Sequence, residues 1–213
     1  MPQSLAITDY IDSLAEAEAR FGLSYSADPG FFTDWSADLP LLTLAEQQRL
    51  DLIKQRYLYH RQYGHLLEGG VNFIVIAPVL ELAGFYDSPF RLRSEASIRI
   101  EIADEDDTVY QGRIDSLIVQ EHLWIVLVEA KRTSFSIDVA LPQALAYMAA
   151  DPVGKASLKE NRPTYGLVSN GAYSMFVKLD QARYGFSDDF SLNRQRNELY
   201  GVLQILNHLK TLA

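Results

Sequence analysis

One stretch limits the folds open to this chain more than any other: LWIVLVEAK, residues 123–131. Ile125, Val126, Leu127 and Val128 are apolar without alternation. A strand of that kind is apolar on both faces and needs cover on both sides, which points to a sheet with helices packed on each face. The same stretch then carries Glu129 and Lys131 into its own end before any turn residue. A charge in that position needs a partner, because burying an unpaired one costs several kcal/mol.

The rest of the chain fits a layered α/β domain. Its 213 residues suit one domain with an N-terminal extension, and an apolar content of 48% is enough for a sizeable core. SIRIEI (97–102) alternates, as a strand with one solvated face does. GRIDSLIV (112–119) is largely apolar on both faces. TYGLVSN and YSMFVKL read as two further strands about the turn Asn170-Gly171-Ala172. The helical segments are about 9–20, 44–65, 71–83, PQALAYMAA (142–150) and about 192–212. Thr43 and Glu46 form a capping box for the second, whose apolar stripe is Leu50, Ile53 and Tyr57 with Arg49 and Arg56 to one side. Gly69-Gly70 is read as an interruption before the third helix, Pro78 as its kink or true start, and Gly84 as its stop. Residues 1–42 are therefore expected to be an acidic helical extension, and 43–213 a mixed sheet flanked by helices.

Charge narrows the partners less than its total suggests. The net charge is −9, but residues 1–48 hold eight acids and one base, and the other 165 residues hold 20 acids and 18 bases. Arg91, Arg93 and Arg99 cluster locally. A nucleic-acid partner needs a local basic face, so the total neither requires nor forbids one. There are no cysteines, which excludes disulfides and thiolate metal sites. No run is long enough to cross a bilayer and no basic-then-apolar leader opens the chain, so no membrane partner and a cytoplasmic location are expected.

Alternation suggests how the charges meet. In an antiparallel hairpin with Asp115 opposite Glu129, Leu117 faces Leu127 and Val119 faces Ile125, with the turn at Glu121-His122-Leu123. A two-residue turn would slip the register and send Asp115 to the other face. The apolar pattern and the charges thus agree on a register that gathers Asp115, Glu129 and Lys131 at one strand end. Two carboxylates suit a hard divalent cation, Mg²⁺ or Mn²⁺, and an adjacent amine suits activation of water or stabilisation of charge on a phosphate. The competing account is a structural ion pair between Glu129 and Lys131, with Asp115 capping a turn. A second acid in the matching register favours the metal site.

GRID (112–115), EAK (129–131) and QALAY (143–147), in that order, resemble the PD-(D/E)xK nuclease superfamily, and most closely the nuclease domain of type I restriction enzyme R subunits. PVLELAGF (78–85) is similar to the family's helix end. The resemblance covers roughly residues 65–180, with Ile114 in place of the proline of the family's name. It implies a restriction-endonuclease-like fold and Mg²⁺-dependent hydrolysis of DNA, an endonuclease activity. It implies Asp115 and Glu129 as metal ligands and Lys131 as catalytic, with Gln143 and Tyr147 at the site and Arg113 of the same motif in support. An additional metal-binding acid from the first helix would be Glu68, or else Glu81. Gln143 and Tyr147 are four apart and so share a helix face; a core tyrosine beside a solvated glutamine is the alternative. No G-x-x-x-x-G-K-[ST] loop is present, so ATP-driven movement along DNA would require a separate motor or specificity subunit. A homodimer is the analogy for cutting both strands. The rival function is a non-catalytic nuclease-like module that binds nucleic acid or protein, with the acidic N-terminal segment as a docking surface. The four histidines are scattered, and Tyr57, Tyr59 and Tyr63 near Arg56 and Arg61 are read as core plus solvated face.

Overall fold

The structure, a computed structural model, describes residues 4–6, 11–36, 38–64, 66–93, 97–101, 109–113, 117–119, 123–127, 140–150 and 162–212. The N-terminal part contains more than one helix and a loop. A short strand, β1 (Ser4–Ala6), precedes helix α1 (Leu14–Phe21), which starts later than expected. Ser13 sets that start: it is extended, and its hydroxyl accepts the Glu16 N–H at 3.3 Å. Gly22, at φ 64°, ends the helix in the left-handed conformation. Then come β2 (Ser24–Tyr25), a 3₁₀ turn at Pro29–Phe32 and the single-turn α2 (Thr33–Ser36).

Helix α3 (Leu44–Arg61) has the expected capping box: Thr43 accepts from the Glu46 N–H at 3.3 Å, and Glu46 accepts from the Thr43 N–H at 2.7 Å. Leu50, Ile53 and Tyr57 are its buried stripe. It ends at Arg61, short of the expected His65. The next helix corrects the reading of Gly69-Gly70. Both glycines lie inside α4 (Glu68–Val71), which runs through a π segment, Asn72–Ile76, into α5 (Ala77–Leu82). Pro78 gives the physical reason. It has no N–H for the carbonyl four residues back, and its ring would press on that carbonyl. The widened turn, in which the Ala77 N–H reaches the Asn72 carbonyl, absorbs the misfit as a bulge. Gly84, at φ 79°, stops the helix as expected, with the Phe85 N–H returning to the Leu80 carbonyl at 3.0 Å.

Among the described residues the strands group into three sheets. β4 (Ser97–Glu101) and β5 (Val109–Arg113) form an antiparallel pair that β1 extends in parallel on the far side of β5. β3 (Arg91–Arg93) pairs antiparallel with β6 (Leu117–Val119). The two pairings share one antiparallel register, Arg93 opposite Leu117 and Ser97 opposite Arg113, so the described ends of GRIDSLIV face the described parts of one segment, 91–101. The largest sheet is mixed, ordered β2, β10 (Arg183–Phe186), β9 (Tyr173–Asp180), β8 (Thr164–Ser169), β7 (Leu123–Leu127), with β11 (Phe190–Ser191) also on β9. β7 and β8 are parallel, β8–β9–β10 antiparallel. Leu123 opens β7, so it belongs to the strand and not to the turn assigned to it.

The large sheet is covered on both faces, as its two-sided apolar strands require. Helices α1 and α6 (Leu141–Ala150) pack with Val168, Val177, Leu179 and Tyr184 on one face. Helices α3, the 68–82 helix and α7 (Leu199–Leu209) pack with Tyr165, Leu167 and Phe176 on the other. The N-terminal segment joins both layers, through Ile11, Ala17 and Leu23 on the first and Trp35 on the second. The closing helix begins at Leu199 and not at 192, because Ser191 still pairs with Tyr173 and the Leu192 N–H still bonds the Ala172 carbonyl. Among the described residues no helix is long and apolar enough to cross a membrane.

Candidate functional site

The strand that leads into EAK ends beside a well-formed turn. β7 runs parallel to β8 with Leu127 level with Ser169. There β8 turns back through Asn170-Gly171-Ala172, as expected. Asn170 Oδ1 accepts the N–H groups of Ala172 and Tyr173 at 3.1 and 2.9 Å. Gly171 has φ 83°, and a Cβ there would lie 2.4 Å from Val71 Cγ1. Helix α4 therefore abuts this turn, and Glu68 opens that helix one turn before Val71. On the same face, the hydroxyls of Ser169 and Ser174 are 2.8 Å apart and buried.

Asp115, Glu129 and Lys131 lie outside the described residues. Arg113 closes β5 opposite Ser97, and Leu117 opens β6 two residues after Asp115. β6 lies beside β7; among the described residues β6 has its ladder with β3 and β7 with β8. Among the described residues no three His, Asp or Glu side chains converge as a metal site.

Gln143 and Tyr147 stand in the first two turns of α6. Tyr147 is a core aromatic, buried with Leu145 and Met148, and Gln143 is half-buried. The helix is apolar nearly all round because it is enclosed between α1 and the sheet. His60 is exposed on α3 and His208 lies in the last turn of α7; His65 and His122 are outside the described residues.

Two polar features escape the sequence reading. Lys178 is buried in β9, donates to the Phe31 carbonyl at 3.0 Å and lies 5.0 Å from the Phe31 ring centroid. Its signal is the lone cation in YSMFVKL. Tyr184 bonds Glu18 at 2.8 Å. Burial first, and the Glu18 carboxylate second, push its hydroxyl well above the ordinary tyrosine range.

The end of α3 is tied to the loop after β11. Lys54 Nζ donates to the carbonyls of Arg194, Gln195 and Arg196 at 2.5, 3.1 and 3.0 Å, and Arg61 donates to Asn193. Ser191, two residues before Asn193, pairs with Tyr173 at the Asn170-Gly171 turn. Tyr57 is in the core, whereas Tyr59 and Tyr63 are exposed, their rings edge to face at 5.3 Å. Compared with known proteins, the chain matches no family model and no curated sequence.

Proposed function

We propose that this protein is a metal-dependent phosphodiester hydrolase acting on DNA, built on a restriction-endonuclease-like arrangement. The observation that carries the reading is the order of residues in the sequence, Asp115 and then Glu129-x-Lys131, the latter following directly on β7. The described part of β7 runs parallel to β8 in a sheet with helices on both faces. The donor set fits Mg²⁺ or Mn²⁺: two hard carboxylates, with Glu68 as a third acid, and no soft ligand. Such an ion, once bound, supplies a Lewis acid for the phosphate and lowers the pKa of water. Asp115 and Glu129 would hold it. Lys131 orients the attacking water and offsets charge developing on the phosphate.

Strand parity refines the roles. In the sequence, Glu129 and Lys131 follow Leu127 by two and four residues, the parity that an uninterrupted strand would give one face. In the parallel pair the face of Leu127 is also the face of Ser169, against which the 68–82 helix packs. α6 covers the opposite face. On that parity we assign Glu68, at the start of the 68–82 helix, ahead of Gln143 as the further residue at the metal.

The test is nicking of supercoiled plasmid in Mg²⁺. Wild type nicks, EDTA stops it, and Lys131→Ala slows it by about 10²-fold or more. Glu68→Gln raises the Mg²⁺ concentration needed, and Gln143→Ala has the smaller effect. Equal nicking by wild type and Lys131→Ala sinks the proposal.

A further inference from the structure

Helix α3 presents a solvent-facing stripe that its core-packing role does not explain. Arg49, Arg56, Tyr59 and His60 recur at helical spacing on α3, Tyr63 follows in the turn directly after it, and all five are exposed. The tyrosines are large aromatics left in water, Tyr59 at 55% and Tyr63 at 77% exposure. From Leu52 to Leu67 the chain carries no acid, although its net charge is −9. The nearby acid Asp51 is off the stripe, and its carboxylate is occupied by Asn197 and Tyr200 at 2.9 and 3.0 Å. Arg49 and Arg56 enter no ion pair among the described residues. The stripe is about 20 Å long at 1.5 Å per residue, enough for a few nucleotides. Its C-terminal end is held toward the Asn170-Gly171 turn by the Arg61–Asn193 bond and the Ser191–Tyr173 pairing.

We propose that this stripe binds a single-stranded segment of nucleic acid, with Tyr59 and Tyr63 stacking on unpaired bases and Arg49 and Arg56 contacting phosphates. The chemistry is specific to that partner. Exposed rings at one end favour bases with free faces, and arginines on the same face favour a polyanion. A duplex would offer the rings no face to stack on. The inference adds a substrate-binding face to the hydrolysis reading but does not depend on cleavage.

The experiment measures fluorescence anisotropy of a labelled oligothymidylate in EDTA, with a duplex oligonucleotide as the second arm. Wild type binds the single strand more tightly than the duplex. Tyr59→Ala/Tyr63→Ala weakens that binding about tenfold or more, with an unchanged melting temperature. Arg49→Ala/Arg56→Ala flattens the dependence of log affinity on log salt by about 1.4, as expected for two phosphates. Tyr86→Ala, an exposed tyrosine beyond the far end of the 68–82 helix, leaves affinity unchanged. No binding by wild type, full affinity in the tyrosine double variant, or preference for the duplex overturns the proposal. Binding in EDTA by a protein that never nicks DNA upholds this inference and sinks the hydrolysis reading. Nicking by a protein that fails in EDTA does the reverse.

Discussion

Gly171 shows how one residue can hold the candidate site together. Its φ of 83° disfavours any side chain, and a Cβ would overlap Val71 on the neighbouring helix. Gly171→Ala therefore combines backbone strain with overpacking, about 2–5 kcal/mol in all. Chemical denaturation should show that loss as a lower midpoint with unchanged slope. Tyr147 illustrates a different use of one position. As a buried aromatic, Tyr147→Ala should cost about 3–5 kcal/mol, so any activity lost with it reports on the fold. Tyr147→Phe keeps the ring and should cost about 1 kcal/mol. If Tyr147→Phe nicks DNA at the wild-type rate, the hydroxyl has no part in the chemistry, and the core-aromatic account of this residue is complete.

Capping chemistry governs the elements. The Thr43–Glu46 box closes α3, and Thr43→Ala should cost about 1 kcal/mol, or roughly 2–4 °C in melting temperature for a domain of this size. The contribution depends on pH with a definite sign. The hydrogen bonds from the Thr43 hydroxyl and N–H hold the Glu46 carboxyl below its ordinary value of 4.5. Between the folded value and 4.5 the unfolded chain binds the proton more readily. The stabilisation is thus complete above 4.5 and fades as pH falls through the folded value. Scanning calorimetry of wild type and Thr43→Ala should find their melting temperatures converging in acid. A gap that stays constant through that range would show the carboxylate to be idle. The same scale explains two misread boundaries. The Gly69-Gly70 pair is tolerated inside a helix whose far side, Val71, Val75 and Val79, is anchored in the core. The last helix starts late because Glu198 is engaged elsewhere, accepting the Ser191 N–H at 2.6 Å and Arg194 at 2.9 Å.

For the molecule as a whole, the acidic N-terminal segment is part of the domain's packing. Ile11, Leu23, Phe31 and Trp35 are buried; at about 1.5–3 kcal/mol each they contribute roughly 6–12 kcal/mol. That is comparable to the whole stability of a typical domain, about 5–15 kcal/mol. Deleting residues 1–36 should therefore abolish cooperative unfolding, as followed by circular dichroism against urea. A truncated chain that still unfolded in one sharp transition would show the segment to be separable after all.

What was legible in the amino acids was whatever short-range physics decides. The capping box, the Leu50–Ile53–Tyr57 stripe, the Asn170-Gly171 turn, the Gly84 stop and the need for helices on both sides of the sheet all follow from spacing and backbone preference. The Asp115…Glu129-x-Lys131 pattern is equally a property of the sequence, and it remains the basis of the functional proposal. Long-range pairing was not legible. Nothing local in Ser4–Ala6 or Ser24–Tyr25 announces that they lie parallel to β5 and β10. Those outcomes depend on contacts between residues far apart in the chain, whose energy exists only once the layers have closed on one another, and so only the tertiary structure decided them.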